Sequence, residues 1–380
     1  MSIILYVGMD VHSTNYTLCA FSLQLDRETG AIEERIAYQV QIEPNYKFIL
    51  AYLQTIREQY PEDTVDFVCG YEAGCLGYSL YRDLTNAGVK CTILAPTTMA
   101  VSTDAKKKKN DKRDAERIAK CLAYGTYKAV YVPSEQDNQI REYIRMRDDH
   151  MLQQKKVKQQ ILAFCMHNGY QFSGNHWTLA HMTWLRSVNM PAMLRETLDE
   201  YLLTLMNLTD KMERFDKRIE ELASLPVYRE KVQKLSCFIG IKTHTAMAAI
   251  VETGDFERFP SAEKYAAFLG LVPGENSSGE KQILSGITKA GNSHIRRLMI
   301  EAAQRYGRGQ IGFKSKALKA RQKDNPPQII AYADKANERL RRKFYHMIHQ
   351  GKKNNVAKTA IARELACFIW GMMTNNTDAS

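Results

Sequence analysis

Residues 3–12 read IILYVGMDVH, an apolar run that ends in an acid at Asp10. Its apolar composition predicts a buried β-strand. Residues 16–25 and 31–42 form two more strand-like runs, and the turn-forming sequence RETG at residues 27–30 separates them. The chain therefore opens with three strands joined by short turns, which predicts a meander.

Helix and strand patterns alternate after the third strand. The predicted elements are a helix over residues 44–60, a strand over 65–71, a helix over 76–87 and a fifth strand over 89–94. A three-stranded meander followed by alternating helices and strands is the pattern of a ribonuclease-H-like α/β fold. Acids at the ends of the first and fourth strands converge in that fold, and Asp10 and Glu72 stand at those two ends.

Residues 106–115, KKKKNDKRDA, place two acids inside a run of bases. Asp111 and Asp114 are three residues apart, and the apolar spacing at residues 118, 119 and 122 predicts a helix from residue 112. Both carboxylates would then share one helix face, a geometry that suits Mg²⁺, while the flanking bases suit a polyanion. These bases are Lys106, Lys107, Lys108, Lys109, Lys112 and Arg113. A solvated, charged helix start is the alternative explanation.

Composition limits the class of protein. The 380 residues are enough for two or three domains, and 44% hydrophobic with 25% charged residues excludes a disordered or fibrous chain. The net charge of +11 favours a polyanionic partner such as nucleic acid. No apolar run reaches the roughly 20 residues of a membrane span, so we expect a cytoplasmic protein without a membrane partner. The eight cysteines lack a C-x-x-C pair and are expected to be free thiols.

Three motifs, VGMDVH at 7–12, GYEAG at 70–74 and NDKRDA at 110–115, together resemble the DEDD tetrad of a transposase family. This family comprises insertion-sequence transposases that include the pilin-gene invertase and the bridge-RNA-guided recombinases. The resemblance implies an N-terminal domain like a Holliday-junction resolvase and a bound Mg²⁺ ion. The implied metal ligands are Asp10, Glu72, Asp111 and Asp114.

The sequences AAFLGLVP at 266–273, GENSSG at 274–279 and ITKAGNSHIRR at 287–297 resemble the C-terminal signature of the same family. Counted from Pro273, Ser278 matches the nucleophilic serine of this signature. If the count were wrong by one residue, Ser277 would take that place. From the residues alone, a serine in a glycine-flanked polar loop is more often a turn residue. The nucleophile is therefore implied only by the resemblance.

Basic residues accumulate around this signature. Residues 281–323 hold eleven Lys and Arg against the single acid Glu301, a net charge of 11 − 1 = +10. Such a surface favours phosphate as partner. The candidate nucleic-acid-binding residues here are Lys281, Lys289, Arg296 and Arg297. Upstream, FIGIKTHTA at 238–246 resembles the helix-hairpin-helix-like segment of the family, with Gly240 present and Phe238 at the place of its second glycine.

The middle of the chain, residues 134–225, reads as mostly helical. Apolar residues recur there at alternating spacings of three and four, a pattern typical of a coiled-coil seam. They are Leu198, Tyr201, Leu205, Leu208, Met212, Phe215, Ile219 and Leu222. An intermolecular seam and an ordinary amphipathic helix packed on its own domain both explain the pattern.

The sequence thus predicts an α/β domain at 1–133, a helical coiled-coil linker at 134–225 and a mainly helical transposase domain at 226–380. The resemblance implies a DNA transposase or recombinase in which Ser278 becomes covalently attached to DNA. Donor and target DNA, a structured noncoding guide RNA and a homo-oligomer, dimer or tetramer, are its implied partners, with the site assembled in trans. A metal-dependent junction nuclease without a covalent intermediate and a noncatalytic nucleic-acid-binding protein remain as alternatives.

Overall fold

The computed structural model describes residues 2–25, 32–74, 76–99, 110–275 and 284–376. The chain forms two compact units, Met1–Val132 and Pro133–Ser380. Across these described ranges, no helix combines the length and apolar character that crossing a bilayer requires. The seven cysteines within them are free thiols, as predicted.

The first unit is a five-stranded sheet with helices. Its elements are β1 (Ser2–Val11), β2 (Tyr16–Leu25), β3 (Ile32–Ile42), α1 (Tyr46–Arg57), β4 (Thr64–Glu72), α2 (Ser79–Asn86), β5 (Cys91–Leu94) and α3 (Asp111–Tyr124). The strand order is β3-β2-β1-β4-β5. The first three strands pair antiparallel, whereas β1, β4 and β5 run parallel. The predicted meander followed by alternating helices and strands is confirmed.

The two faces of β1 serve different purposes because successive side chains point to opposite faces of a sheet. Leu5, Val7 and Met9 belong to the same buried cluster as residues of α1 and α2. On the other face, Gly8 lets α3 approach, because a Cβ atom there would lie 2.1 Å from the Ala115 carbonyl oxygen. Asp10 is two residues beyond Gly8, and it therefore lies on the face that α3 covers.

The second unit is almost entirely helical. Its helices are α4 (Glu135–His167), α5 (Leu179–Ser187), α6 (Ala192–Ala223), α7 (Pro226–Leu235), α8 (Thr243–Thr253), α9 (Ala262–Phe268), α10 (Ser293–Ala303), α11 (Lys316–Gln322), α12 (Pro327–His349) and α13 (Asn354–Met373). Two short strands, β6 (Pro273–Glu275) and β7 (Leu284–Ile287), pair antiparallel between α9 and α10.

The apolar stripe of α6 packs within the chain. Helices α4 and α6 run antiparallel, since Tyr143 contacts Phe215 near one end and Phe164 contacts Tyr201 near the other. Leu205 is only 4% exposed and lies in one buried cluster with residues of α4. The stripe is therefore used for packing on its own unit, which is the second of the two explanations considered for the pattern.

The predicted division between residues 134–225 and 226–380 is not a boundary between compact units. Ile140 of α4 and Ile219 of α6 belong to the same hydrophobic cluster as Ile361 of α13. The long helices thus enter the core of the C-terminal helices, and both segments form one unit. Phe238 is fully buried in this core, which explains an aromatic residue where the helix-hairpin-helix-like pattern has glycine.

Candidate active site

Helix α3 begins directly beside the end of β1. Asn110 caps it, its side-chain oxygen accepting a hydrogen bond of 3.0 Å from the backbone N–H of Lys112. Asp111 and Asp114 occupy the first turn. Carboxylates are favourable there because the unpaired amides of a helix N-terminus carry partial positive charge. The local sequence therefore both starts the helix and fixes two acids near Asp10.

Asp10, His12 and Asp111 form a cluster whose candidate ligand atoms all lie within 4.8 Å of one another. His12 Nε2 is 3.3 Å from Asp10 Oδ2. Oδ2 is buried, and among the described residues it has no hydrogen-bond partner of good geometry. A buried carboxylate oxygen without a partner is costly. The cluster therefore fits a divalent cation, which would supply the missing partner.

Glu72 and Asp114 are joined by a base that the sequence analysis did not single out. The Arg117 guanidinium Nη2 is 3.1 Å from Glu72 Oε2 and 3.5 Å from Asp114 Oδ1. Arg117 lies three residues after Asp114 on α3, so helical spacing was the available signal. The predicted tetrad is thus arranged in two parts, Asp10 with Asp111, and Glu72 with Asp114.

The environment of Asp10 disfavours its charged form. Burial raises the pKa of this carboxyl, and the negative charges of Asp111 and Asp114 raise it further, although His12 acts in the opposite direction. Like charges gathered in a partly buried site oppose ionisation unless a cation neutralises them. The electrostatics therefore agree with the geometry in favouring a bound cation.

The predicted nucleic-acid-binding residues that the structure describes fall into two groups, those with exposed side chains and those whose side chains join two helices. Lys112, Arg113 and Lys289 have exposed side chains. Arg296 instead donates to the Leu269 carbonyl oxygen at 2.9 Å, which joins α10 to the end of α9.

Arg297 is also used inside the second unit. It pairs with Asp148, a buried acid of α4, and lies 3.4 Å from Glu301 on its own helix. His244 of α8 lies on the same Asp148 carboxylate at 2.9 Å. Arg297 therefore links α10 to α4, and its placement, like that of Arg296, favours a structural role over the predicted phosphate contact.

The remaining predicted residues lie outside the described part of the chain. They are Lys106, Lys107, Lys108, Lys109, Ser277, Ser278 and Lys281. Strands β6 and β7 lie on either side of residues 276–283 in the sequence, the segment that contains Ser277 and Ser278. The two strands pair with each other, Pro273 opposite Ile287.

The second unit also carries a cleft of about 950 Å³ that sequence reasoning did not identify. Lys242, Arg305 and Arg308 line it together with the first residues of α8, and Glu301 is among its acids. The amides that begin a helix and nearby guanidinium groups are suited to phosphate.

Comparisons with known proteins identify the family of this chain. A transposase model for the DEDD class of IS110 elements matches residues 7–166, which include all four acids. A second model, described as the transposase IS116/IS110/IS902 family, matches residues 232–311. The chain is therefore a DEDD-type insertion-sequence transposase, an enzyme that acts on DNA.

Individual relatives place it more closely. The transposase for insertion sequence element IS1533 of Leptospira borgpetersenii is 30% identical over 354 residues, which cover 92% of this chain and 98% of that protein. A Sinorhizobium fredii protein named as a transposase, y4qE, is 32% identical over 303 residues, covering 80% of this chain and 74% of that protein. The transposase for insertion sequence element IS1328 of Yersinia enterocolitica is 25% identical over 305 residues, which cover 80% of this chain and 83% of that protein. The chain belongs to the IS116/IS110/IS902 family of transposases.

Proposed function

We propose that this transposase cuts and rejoins DNA by transesterification, with a divalent cation held by the acids of the first unit and with Ser278 as nucleophile. The observation that carries the proposal is the cluster of Asp10, His12 and Asp111 at the end of β1. The strand order β3-β2-β1-β4-β5 supports a ribonuclease-H-like first unit, in which the ends of β1 and β4 bear the acids.

The chemistry follows from the residue types. Serine Oγ forms a bond to phosphorus, the bond from phosphorus to one deoxyribose oxygen breaks, and that oxygen takes up a proton as the serine loses one. When bound, Mg²⁺ supplies charge neutralisation for the phosphoryl oxygens and lowers the pKa of a coordinated hydroxyl. Asp10 and Asp111 would hold this ion, and Glu72 and Asp114 would complete the set.

Arg117 has a separate role in this proposal. Its guanidinium neutralises Glu72 and Asp114 from one side, so that these carboxylates remain close together before a cation and a phosphodiester arrive. A guanidinium keeps its charge at any physiological pH and presents several donors in a fixed plane. Arg117 therefore orients two of the four acids.

Nucleic acid would contact the exposed bases of both units. Lys112 and Arg113 lie on α3 beside the acids, and Lys242, Arg305 and Arg308 line the cleft of the second unit. The family resemblance adds a structured noncoding guide RNA and a homo-oligomer. A guide would supply sequence recognition by base pairing, which leaves the protein to hold backbones through its positive charge.

The serine is tested by trapping the covalent intermediate. The wild-type protein, purified from its host with its bound RNA, is incubated with supercoiled donor and target DNA, and the reaction is stopped with detergent. Ser278→Ala should still bind DNA but give no protein-linked strand, whereas Ser277→Ala, the matched control, should give adduct at the wild-type level.

Other outcomes would change the assignment. Adduct from Ser278→Ala together with none from Ser277→Ala would move the nucleophile by one residue. Adduct from the double variant would exclude a serine of this loop, and DNA cleavage without adduct in any variant would favour a metal-dependent nuclease.

A further inference from the structure

We propose that His12 is a ligand of the cation held by Asp10 and Asp111, and that this site therefore binds Mn²⁺ in preference to Mg²⁺. The inference rests on the proposed metal-dependent function and specifies which ion the site takes. The four acids that the resemblance implies as ligands do not include His12.

The distances are those of two ligands sharing one ion. His12 Nε2 lies 3.3 Å from Asp10 Oδ2. Two donors that are each about 2.1 Å from one cation, at roughly a right angle, are about 3 Å apart. Asp111 offers a carboxylate oxygen within 4.8 Å of a ligand atom of each of the other two residues. A small inward movement of the three side chains would therefore bring all of them into contact with a single ion.

The distance of 3.3 Å between His12 Nε2 and Asp10 Oδ2 is long for an ion pair with a good hydrogen bond. An ion pair of that kind normally includes a hydrogen bond, which is stronger when one partner is charged. Asp10 Oδ2 is buried, and no described residue donates a hydrogen bond of good geometry to it. A cation bound by this oxygen and the ring nitrogen would supply the partner that Oδ2 lacks.

The backbone holds His12 in this position. Residues 10 and 12 lie on the same side of the extended chain because side chains alternate along a strand. The His12 backbone N–H donates to the Asn15 carbonyl oxygen at 2.9 Å and closes the turn between β1 and β2. The imidazole is 40% exposed, so an ion can reach it from solvent without opening the fold.

The type of donor decides which ion is preferred. Mg²⁺ takes oxygen ligands almost exclusively and keeps several waters, whereas an imidazole nitrogen is a common ligand of first-row transition ions. One nitrogen among carboxylate oxygens should therefore increase the affinity for Mn²⁺ more than that for Mg²⁺. The expected preference comes from His12, since the acids alone offer only oxygen.

The test measures binding and ligation without turnover. The full-length protein is freed of nucleic acid by a high-salt wash and titrated with Mn²⁺, the free ion being followed by electron paramagnetic resonance, with Mg²⁺ as competitor. His12→Asn is compared with His349→Asn, whose histidine is exposed on α12. Wild type and His349→Asn should bind Mn²⁺ about tenfold more tightly than Mg²⁺, and His12→Asn should lose most of that factor through weaker Mn²⁺ binding.

Spin-echo spectra of the bound Mn²⁺ give a direct second readout. Nitrogen modulation from a coordinated imidazole should be present in wild type and His349→Asn and absent in His12→Asn. Absence of this modulation in wild type, or equal Mn²⁺ binding by wild type and His12→Asn, would overturn the inference.

Asp111→Asn separates failure of this inference from failure of the proposed function. If Asp111→Asn loses Mn²⁺ binding while His12→Asn keeps it with unchanged spectra, His12 is not a ligand, although the acid site stands. If Asp111→Asn binds Mn²⁺ as the wild type does, the acid site itself is excluded, and the inference falls with it.

Discussion

Asp10, a metal ligand in the proposed mechanism, lies in an environment that disfavours its charged form. Its carboxyl is partly buried and near two other acids, and one of its oxygens has no donor of good geometry among the described residues. Because the pKa is raised in the folded chain, the folded state binds a proton more readily than the unfolded state at this position. The free energy of unfolding therefore decreases as the pH rises from the ordinary value of 3.8 through the raised pKa.

Asp10→Asn should accordingly stabilise the cation-free protein. The amide removes a carboxylate that is disfavoured at pH 7, so the urea midpoint measured in EDTA should be higher than that of the wild type. This gain should shrink as the pH is lowered through 3.8, because below that value the wild-type carboxyl becomes protonated in both states.

Asp66→Asn, at an exposed position of β4, serves as the control and should change stability by less than about 0.5 kcal/mol. A lower midpoint for Asp10→Asn at pH 7, or a gain that does not depend on pH, would contradict the described electrostatics.

Residue-level signals in the sequence identified part of this site. Asp10 and Glu72 were found because each ends a strand, and Asp111 and Asp114 because they share a helix face. His12 and Arg117 were missed, although each lies close in sequence to a predicted acid, Asp10 or Asp114. A local pattern does not show which neighbouring side chains also contact those acids. The ion pair between Arg117 and Glu72 spans 45 residues, and no local pattern encodes such a distance.

Among the elements, the contact between β1 and α3 determines the site. Gly8 permits the close approach, as a Cβ there would lie 2.1 Å from the Ala115 carbonyl oxygen and 2.3 Å from the Ala119 backbone nitrogen. Both atoms belong to helix backbone, so neither can move aside without shifting α3. The position of Asp111 relative to Asp10 therefore depends on a glycine that carries no chemistry of its own.

Gly8→Ala should separate α3 from β1. We expect a loss of roughly 1–3 kcal/mol in the free energy of unfolding, typical of overpacking, together with weaker Mn²⁺ binding because Asp10 and Asp111 move apart. Urea unfolding and a Mn²⁺ titration measure the two effects.

Gly74→Ala is the matched control, because a Cβ there would meet only the Glu72 carbonyl oxygen at an ordinary 3.7 Å. If Gly8→Ala had the same stability and Mn²⁺ affinity as the wild type, the close approach of α3 to Gly8 would not be needed for the site.

The order of elements could be predicted from sequence, whereas the partners of some elements could not. Turn residues and strand-like runs place β1 to β5 correctly because these signals are local. The α6 stripe has the same pattern whether it meets another chain or α4 of its own chain. The tertiary structure shows that the stripe packs within its own chain, because Leu198 and Leu205 are buried in one cluster with residues of α4 and α5.

At the scale of the whole molecule, the proposed mechanism draws on residues of both units. The first unit carries the four acids, and the second contains Ser277 and Ser278 in its sequence together with most of the excess positive charge. The boundary after Val132 lies close to the predicted one. The further division predicted after residue 225 does not separate compact units, because α4 and α6 contribute to two hydrophobic clusters of the same unit.

Strand cleavage by an acid-site variant tests the central claim most directly. Wild type, Asp111→Asn and Glu116→Gln are incubated with Mg²⁺ or Mn²⁺, bound RNA and DNA carrying the ends of the element, and cut strands are counted on a denaturing gel. Glu116 lies on the same helix and pairs with Lys120 at 3.1 Å, outside the cluster. Glu116→Gln should cut like the wild type, while a folded Asp111→Asn should be slower by at least about 100-fold. A folded Asp111→Asn that cuts DNA at the wild-type rate would contradict the assignment of the acid cluster as the catalytic centre.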